Sequence, residues 1–106
     1  MNRLREHRLP VKVAEDGESF KKATIYLAAP DHHLLVKKSK LMVTKGAREN
    51  RFRPAIDPLF RSAAVNHGSR VIGVLLTGML NDGTAGLSTI QRCGGIAVAP
   101  DPADAA

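Results

Sequence analysis

The order of apolar and polar positions lays out a mixed chain of short strands and two helices. Residues 9–13, Leu-Pro-Val-Lys-Val, alternate and predict a short strand. The polar stretch 15–19 contains Gly17 and turns the chain. Residues 23–29, Ala-Thr-Ile-Tyr-Leu-Ala-Ala, are β-branched, aromatic and apolar as far as Pro30, which predicts a buried strand. Residues 33–36 and 40–44 flank Lys37-Lys38-Ser39 and predict a hairpin with lysines at its turn and edge. Gly46, Pro54 and a cluster of charges make 45–54 a loop. Asp57-Pro58 then opens a helix, with Asp as the cap and Pro at the first helical position. Ile56, Leu59, Phe60, Ala63 and Ala64 recur at helical spacing, and Gly68 closes the helix. Residues 71–76 form an uninterrupted apolar run, the pattern of a central parallel strand covered on both faces. Residues 77–83 turn the chain into a helix over 84–93, with Leu87 and Ile90 inward and Gly94-Gly95 as its stop. Residues 96–99 are a further apolar strand, ended by Pro100. The unit from strand 71–76 through the helix to strand 96–99 predicts a right-handed parallel crossover. The fold class is therefore α/β, a mostly parallel sheet with flanking helices in a Rossmann-like three-layer arrangement, with a small β-hairpin.

Length and composition narrow this picture. The chain has 106 residues, enough for one domain. Hydrophobic residues make up 43% and charged residues 25%, which argues against wholesale disorder. No apolar run reaches the roughly 18 residues of a membrane helix. The first eight residues contain no apolar core, so no secretory leader and no membrane insertion are expected, and the default location is the cytoplasm. Cys93 is the single cysteine, so no internal disulfide forms. The net charge is +6, and it is local. Lys37, Lys38, Lys40, Lys45, Arg48, Arg51 and Arg53 are opposed within their window only by Glu49, and the rest of the chain is balanced. Such a patch favours an anionic partner. A non-catalytic binding module using residues 37–53 is one reading, with an acidic receptor or nucleic acid as partner. Phe52 is the window's lone aromatic and the chain has no Trp, so base stacking is poorly supported and nucleic acid is disfavoured.

Candidate chemistry gathers at residues 77–83, Thr-Gly-Met-Leu-Asn-Asp-Gly, because ligands of open parallel sheets bind beyond the carboxyl ends of the strands. Gly78 and Gly83 allow close backbone approach, N–H groups near Met79 can face an anion, and Asp82 supplies a carboxylate. The bland alternative reads Asn81-Asp82-Gly83 as a turn and helix cap. Gly78 and Gly83 have Walker A spacing, but Thr84 stands where Lys is required, and the glycine spacing does not fit a dinucleotide loop. Asp31-His32-His33 invites a metal reading, yet adjacent histidines in an extended segment point to opposite faces and no further ligands complete a set, so no metal is expected. His7 and His67 read as surface residues, and Cys93 as a small buried thiol near a helix end.

Three runs together are more specific than any one. They are Ile25-Tyr26-Leu27-Ala28-Ala29-Pro30-Asp31 through Leu34-Leu35-Val36, then Glu49-Asn50-Arg51-Phe52-Arg53-Pro54-Ala55-Ile56-Asp57-Pro58-Leu59-Phe60, then Leu76-Thr77-Gly78-Met79-Leu80-Asn81-Asp82-Gly83-Thr84-Ala85-Gly86. In this order the chain resembles the catalytic domain of CheB, the chemotaxis protein-glutamate methylesterase, from about Asn2 to Asp104. The resemblance implies a sheet between helices and a Ser-His-Asp mechanism without cofactor or metal. It implies hydrolysis of glutamyl methyl esters, and deamidation of glutamines, on methyl-accepting chemotaxis receptors. Asp82 matches the triad aspartate, and Met79 matches the residue whose backbone N–H helps form the oxyanion hole. The family's Ser and His precede the region matched by Asn2-Arg3-Leu4. None of Ser19, Ser39, Ser62, Ser69 and Ser88, nor His7, His32, His33 and His67, matches their surroundings. Phe52 stands where the family often has His, and Pro100 where it usually has Gln. Residues 1–106 are accordingly expected to be the C-terminal portion of an incomplete methylesterase domain. That portion would be inactive alone, would leave strands 23–29 and 71–76 with uncovered apolar faces or edges, and could be completed by a chain carrying the Ser and His half.

Overall fold

The computed structural model describes residues 8–76 and 82–100. In chain order the elements are β1 (Val11–Val13), β2 (Ile25–Leu27), β3 (His33–Val36), β4 (Leu41–Thr44), α1 (Ile56–His67), a 3-10 turn (Gly68–Arg70), β5 (Ile72–Val74), α2 (Thr84–Arg92) and β6 (Ile96–Val98). The class is α/β, with strands shorter than their apolar runs. The strands form three pairs: β1 with β2 parallel, β3 with β4 antiparallel, and β5 with β6 parallel. β5–α2–β6 is the crossover that the apolar runs predict. Its ladder is extended by Leu75 N–H donating to the Val98 carbonyl (2.8 Å) and Ile96 N–H to the Val71 carbonyl (2.9 Å). The hairpin pairs Val36 with Leu41 across the lysine turn, as its pattern requires.

Helix α1 stands between two small cores. Ala64, Leu75, Leu87 and Ile90 form one, with Ile56, Phe60, Val71 and Ala97 against it. Ala14, Leu34 and Leu41 form the other, with Leu59, Phe20 and Tyr26 against it. Ile56, Phe60 and Ala64 thus face α2 while Leu59, one position off that stripe, faces the hairpin, so both sides of the helix carry apolar residues.

Three expectations change. The strands within 23–29 and 71–76 are not buried on both faces. Ile25 is 44% exposed, Ile72 64% and Leu76 74%, whereas Gly73 and Leu75 are buried under the helices. Among the described residues, the helices and hairpin lie on one face only, and the expected uncovered apolar faces are present. Cys93, placed inside by its chemistry, is exposed just beyond the last turn of α2. Helix α1 begins at Ile56, two residues earlier than an Asp57 cap requires, so Asp57 lies inside the first turn and its carboxylate is directed elsewhere.

Candidate active site

The site is built where the two helices begin. Before α1, a tight turn joins Glu49 and Phe52, each donating its N–H to the other's carbonyl (3.0 and 2.8 Å). Its two central residues, Asn50 and Arg51, both adopt left-handed backbone with φ of 51° and 71°. That is the geometry of a two-residue hairpin turn, in which Asn is well tolerated and Arg is not. The Asn50 side chain is thereby aimed at two buried carboxylates.

Asp82 is 1% exposed. Its Oδ2 accepts the Ile56 N–H (2.6 Å), and its Oδ1 accepts the Asp57 N–H (3.0 Å) and a proton of Asn50 Nδ2 (3.0 Å). Asp57 mirrors this arrangement. Its Oδ1 accepts the N–H groups of Gly83 (3.0 Å) and Gly86 (2.7 Å), and its Oδ2 accepts Asn50 Nδ2 (2.7 Å). Each acid therefore occupies the start of the other's helix, where first-turn N–H groups lack intrahelical partners and the backbone dipole favours negative charge. The cap reading of Asp82 holds in kind but not in place: it caps α1, not the helix that follows it. Asp57, expected to cap α1, instead serves α2. Among the described residues neither acid has an ion-pair partner, so backbone amides and one side-chain amide hold both.

Close packing makes the exchange possible. A Cβ on Gly86 would lie 2.6 Å from the Phe60 Cβ and 3.0 Å from Asp57 Oδ1. Gly83, with φ of 108°, starts α2 in a conformation that a side chain would strain.

The remaining candidates disperse. Met79 lies outside the described residues. Asp31, His32 and His33 go three ways. His33 is buried, with Nδ1 accepting the Ala55 N–H (3.2 Å) and Nε2 donating to the Ala47 carbonyl (2.7 Å), which pins the loop before α1. His32 Nδ1 donates to the Pro30 carbonyl (2.7 Å). Asp31 pairs with Arg53 (2.8 Å), Lys45 (3.4 Å) and Arg48 (3.7 Å), and the Arg53 hydrogen bond holds its carboxyl below the ordinary value. His67, expected at the surface, is half-buried, with Nε2 donating to the Lys37 carbonyl and its ring edge-on to Phe20. Ser62 accepts the Val36 N–H and donates to the Leu59 carbonyl. The basic window is split as well: three of its cations meet Asp31, while Lys37, Lys38 and Lys40 at the hairpin turn form no ion pair among the described residues.

The comparisons give this arrangement its family. The profile of the CheB methylesterase family matches residues 1–106. The chain belongs to the CheB methylesterase family. It is 41% identical over 100 residues to a Yersinia pestis protein-glutamate methylesterase/protein-glutamine glutaminase, a match covering 91% of this chain and 29% of that protein. A Leptospira interrogans relative is 42% identical over 95 residues, and 49% of its length is covered. Among solved structures, the CheB methylesterase catalytic domain of Thermotoga maritima superimposes with a TM-score of 0.76 at 38% identity, covering 86% of this chain and 50% of that one. The chain thus spans half or less of the relatives it matches.

Sequence reasoning singled out Asp82 by its place after an apolar run. It missed Asn50 and the true role of Asp57. The available signal for Asn50 was a turn-favouring residue just before a helix. Nothing local links residue 57 to residue 83 or 86, because that contact is made only when the helices pack.

Proposed function

We propose that this chain contributes the aspartate and the oxyanion loop of a protein-glutamate methylesterase site, and that the nucleophilic Ser and the His base come from polypeptide outside residues 1–106. The observation that carries the reading is the state of Asp82. A carboxylate has about four acceptor positions, and donors among the described residues take three of them here. The fourth, on Oδ2, suits an imidazole N–H. An aspartate so held would fix the tautomer of a His and stabilise its protonated form. None of this chain's described histidines is available, since the ring of His33 is committed on both sides and His32 and His67 bond elsewhere.

In this mechanism the Ser oxygen attacks the glutamyl ester carbonyl and its proton passes to His. The oxyanion is held by backbone N–H groups, Met79 among them. Collapse breaks the bond to the methoxy group, which leaves as methanol with the proton from His. Water, deprotonated by the same His, then releases the glutamate carboxylate and free Ser. A glutamine substrate follows the same course, with ammonia leaving. The substrates are methyl-accepting chemotaxis receptors, and the setting is the cytoplasm. Among the described residues no helix is long and apolar enough to cross a membrane.

The test is co-expression with a polypeptide bearing the Ser and His half. Methanol release from methylated receptor is expected only from the pair. Asp82→Asn should lower it by about 10⁴-fold, because an amide neither fixes the imidazole tautomer nor accepts at both oxygens from the α1 amides. Turnover by the 106-residue chain alone, or undiminished turnover with Asp82→Asn, refutes the proposal.

A further inference from the structure

We infer that Asn50 is a positioning residue for Asp82, its single amide group tying the Asp82 and Asp57 carboxylates together and fixing the direction of the Asp82 acceptor position that no described donor fills. This rests on the esterase reading above. Asn50 Nδ2 lies 3.0 Å from Asp82 Oδ1 and 2.7 Å from Asp57 Oδ2. An amide NH₂ carries two protons, one for each acid. Two buried carboxylates of like charge repel unless donors or cations stand between them. No described cation does so here, and Asn50 occupies that place. The Ile56 and Asp57 amides reach Asp82 from the helix side, and Asn50 reaches it from the turn. Donors from two sides set the plane of the carboxylate, which the helix amides alone would leave freer to rock.

The backbone supports a dedicated role. Asn50 is solvent-exposed as a residue, so core packing does not explain its presence. It shares its turn with Arg51, whose left-handed backbone is costly for a residue other than Gly or Asn, and the visible result of that turn is the aim of this amide.

The experiment has two arms. In the complemented assembly, Asn50→Ala should lower kcat by about 10–100-fold, the scale of a misplaced catalytic group, with little change in KM. Asn50→Asp should be worse at neutral pH and recover as pH falls, since a protonated carboxyl still donates while an ionised one adds a third like charge. In the 106-residue chain alone, Asn50→Ala should speed hydrogen exchange of the Ile56, Asp57, Gly83 and Gly86 amides by about tenfold, leaving the β3 and β4 amides unchanged. An Asn50→Ala enzyme with normal kcat, beside a crippled Asp82→Asn control, overturns the inference while sparing the esterase reading. An Asp82→Asn control without effect, or an assembly that never turns over, sinks the esterase reading instead. The exchange arm then decides the coupling, and unchanged amide rates overturn it.

Discussion

Asp31 collects Arg53, Lys45 and Arg48 on one carboxylate, itself in left-handed backbone. Its pKa is lowered from 3.8, first by the Arg53 hydrogen bond and then by Lys45. The folded form therefore binds this proton more weakly than the unfolded chain. The resulting stabilisation is complete above the ordinary value and disappears as pH falls through the depressed one. Urea midpoints should drop in that acidic window. Asp31→Asn should remove part of the drop and leave the part owed to Glu18, whose pKa is lowered by Lys12. The Asp31 side chain is 45% exposed and that of Glu18 17%, so added salt should shrink chiefly the Asp31 part of the effect. At this scale the sequence was legible where chemistry is local. A capping carboxylate at Asp82 could be read from the turn Asn81-Asp82-Gly83, although the helix it caps is α1. It was illegible where a side chain serves a distant segment. Asp57 beside Pro58 looks like a cap for its own helix, and only the crossing of α1 and α2 shows that it caps the other. Cys93 was misjudged because a chain position near a helix end does not say which side is covered.

The two helices pack directly on each other, and their contact rests on small residues. A methyl group at Gly86 would press on Phe60 and on the Asp57 oxygen that accepts the Gly86 N–H. Gly86→Ala should therefore destabilise the chain by about 1–3 kcal/mol, the usual cost of overpacking. Chemical denaturation followed by circular dichroism measures it, and Ser88→Ala, on the exposed side of the same helix, should shift stability by less than about 0.5 kcal/mol. Helix and hairpin types were readable because period and turn residues agree with the final packing. Gly68 closes α1 with φ of 53°, as its position predicts. The parallel pairing of β1 with β2 was not readable. The intervening residues 14–24 form no helix, and the return is arranged by contacts with the hairpin, such as Leu41 N–H donating to the Glu18 carbonyl (2.8 Å).

For the whole molecule the decisive property is a pair of parallel ladders with one dressed and one bare face. The apolar runs showed that both faces were meant for burial, but the covering residues are not among those described. Ile72→Thr together with Ile96→Thr should cost the isolated chain about 0.5 kcal/mol or less, since both side chains are largely exposed. The same pair should abolish restored methanol release by preventing assembly with the Ser and His half. Thermal melts and co-purification read the two effects separately. A bare ladder also governs the fate of a copy left without company. Chaperones and proteases sort chains that display bare apolar strand faces, so residues 1–106 expressed by themselves should be cleared faster than when the covering half is present.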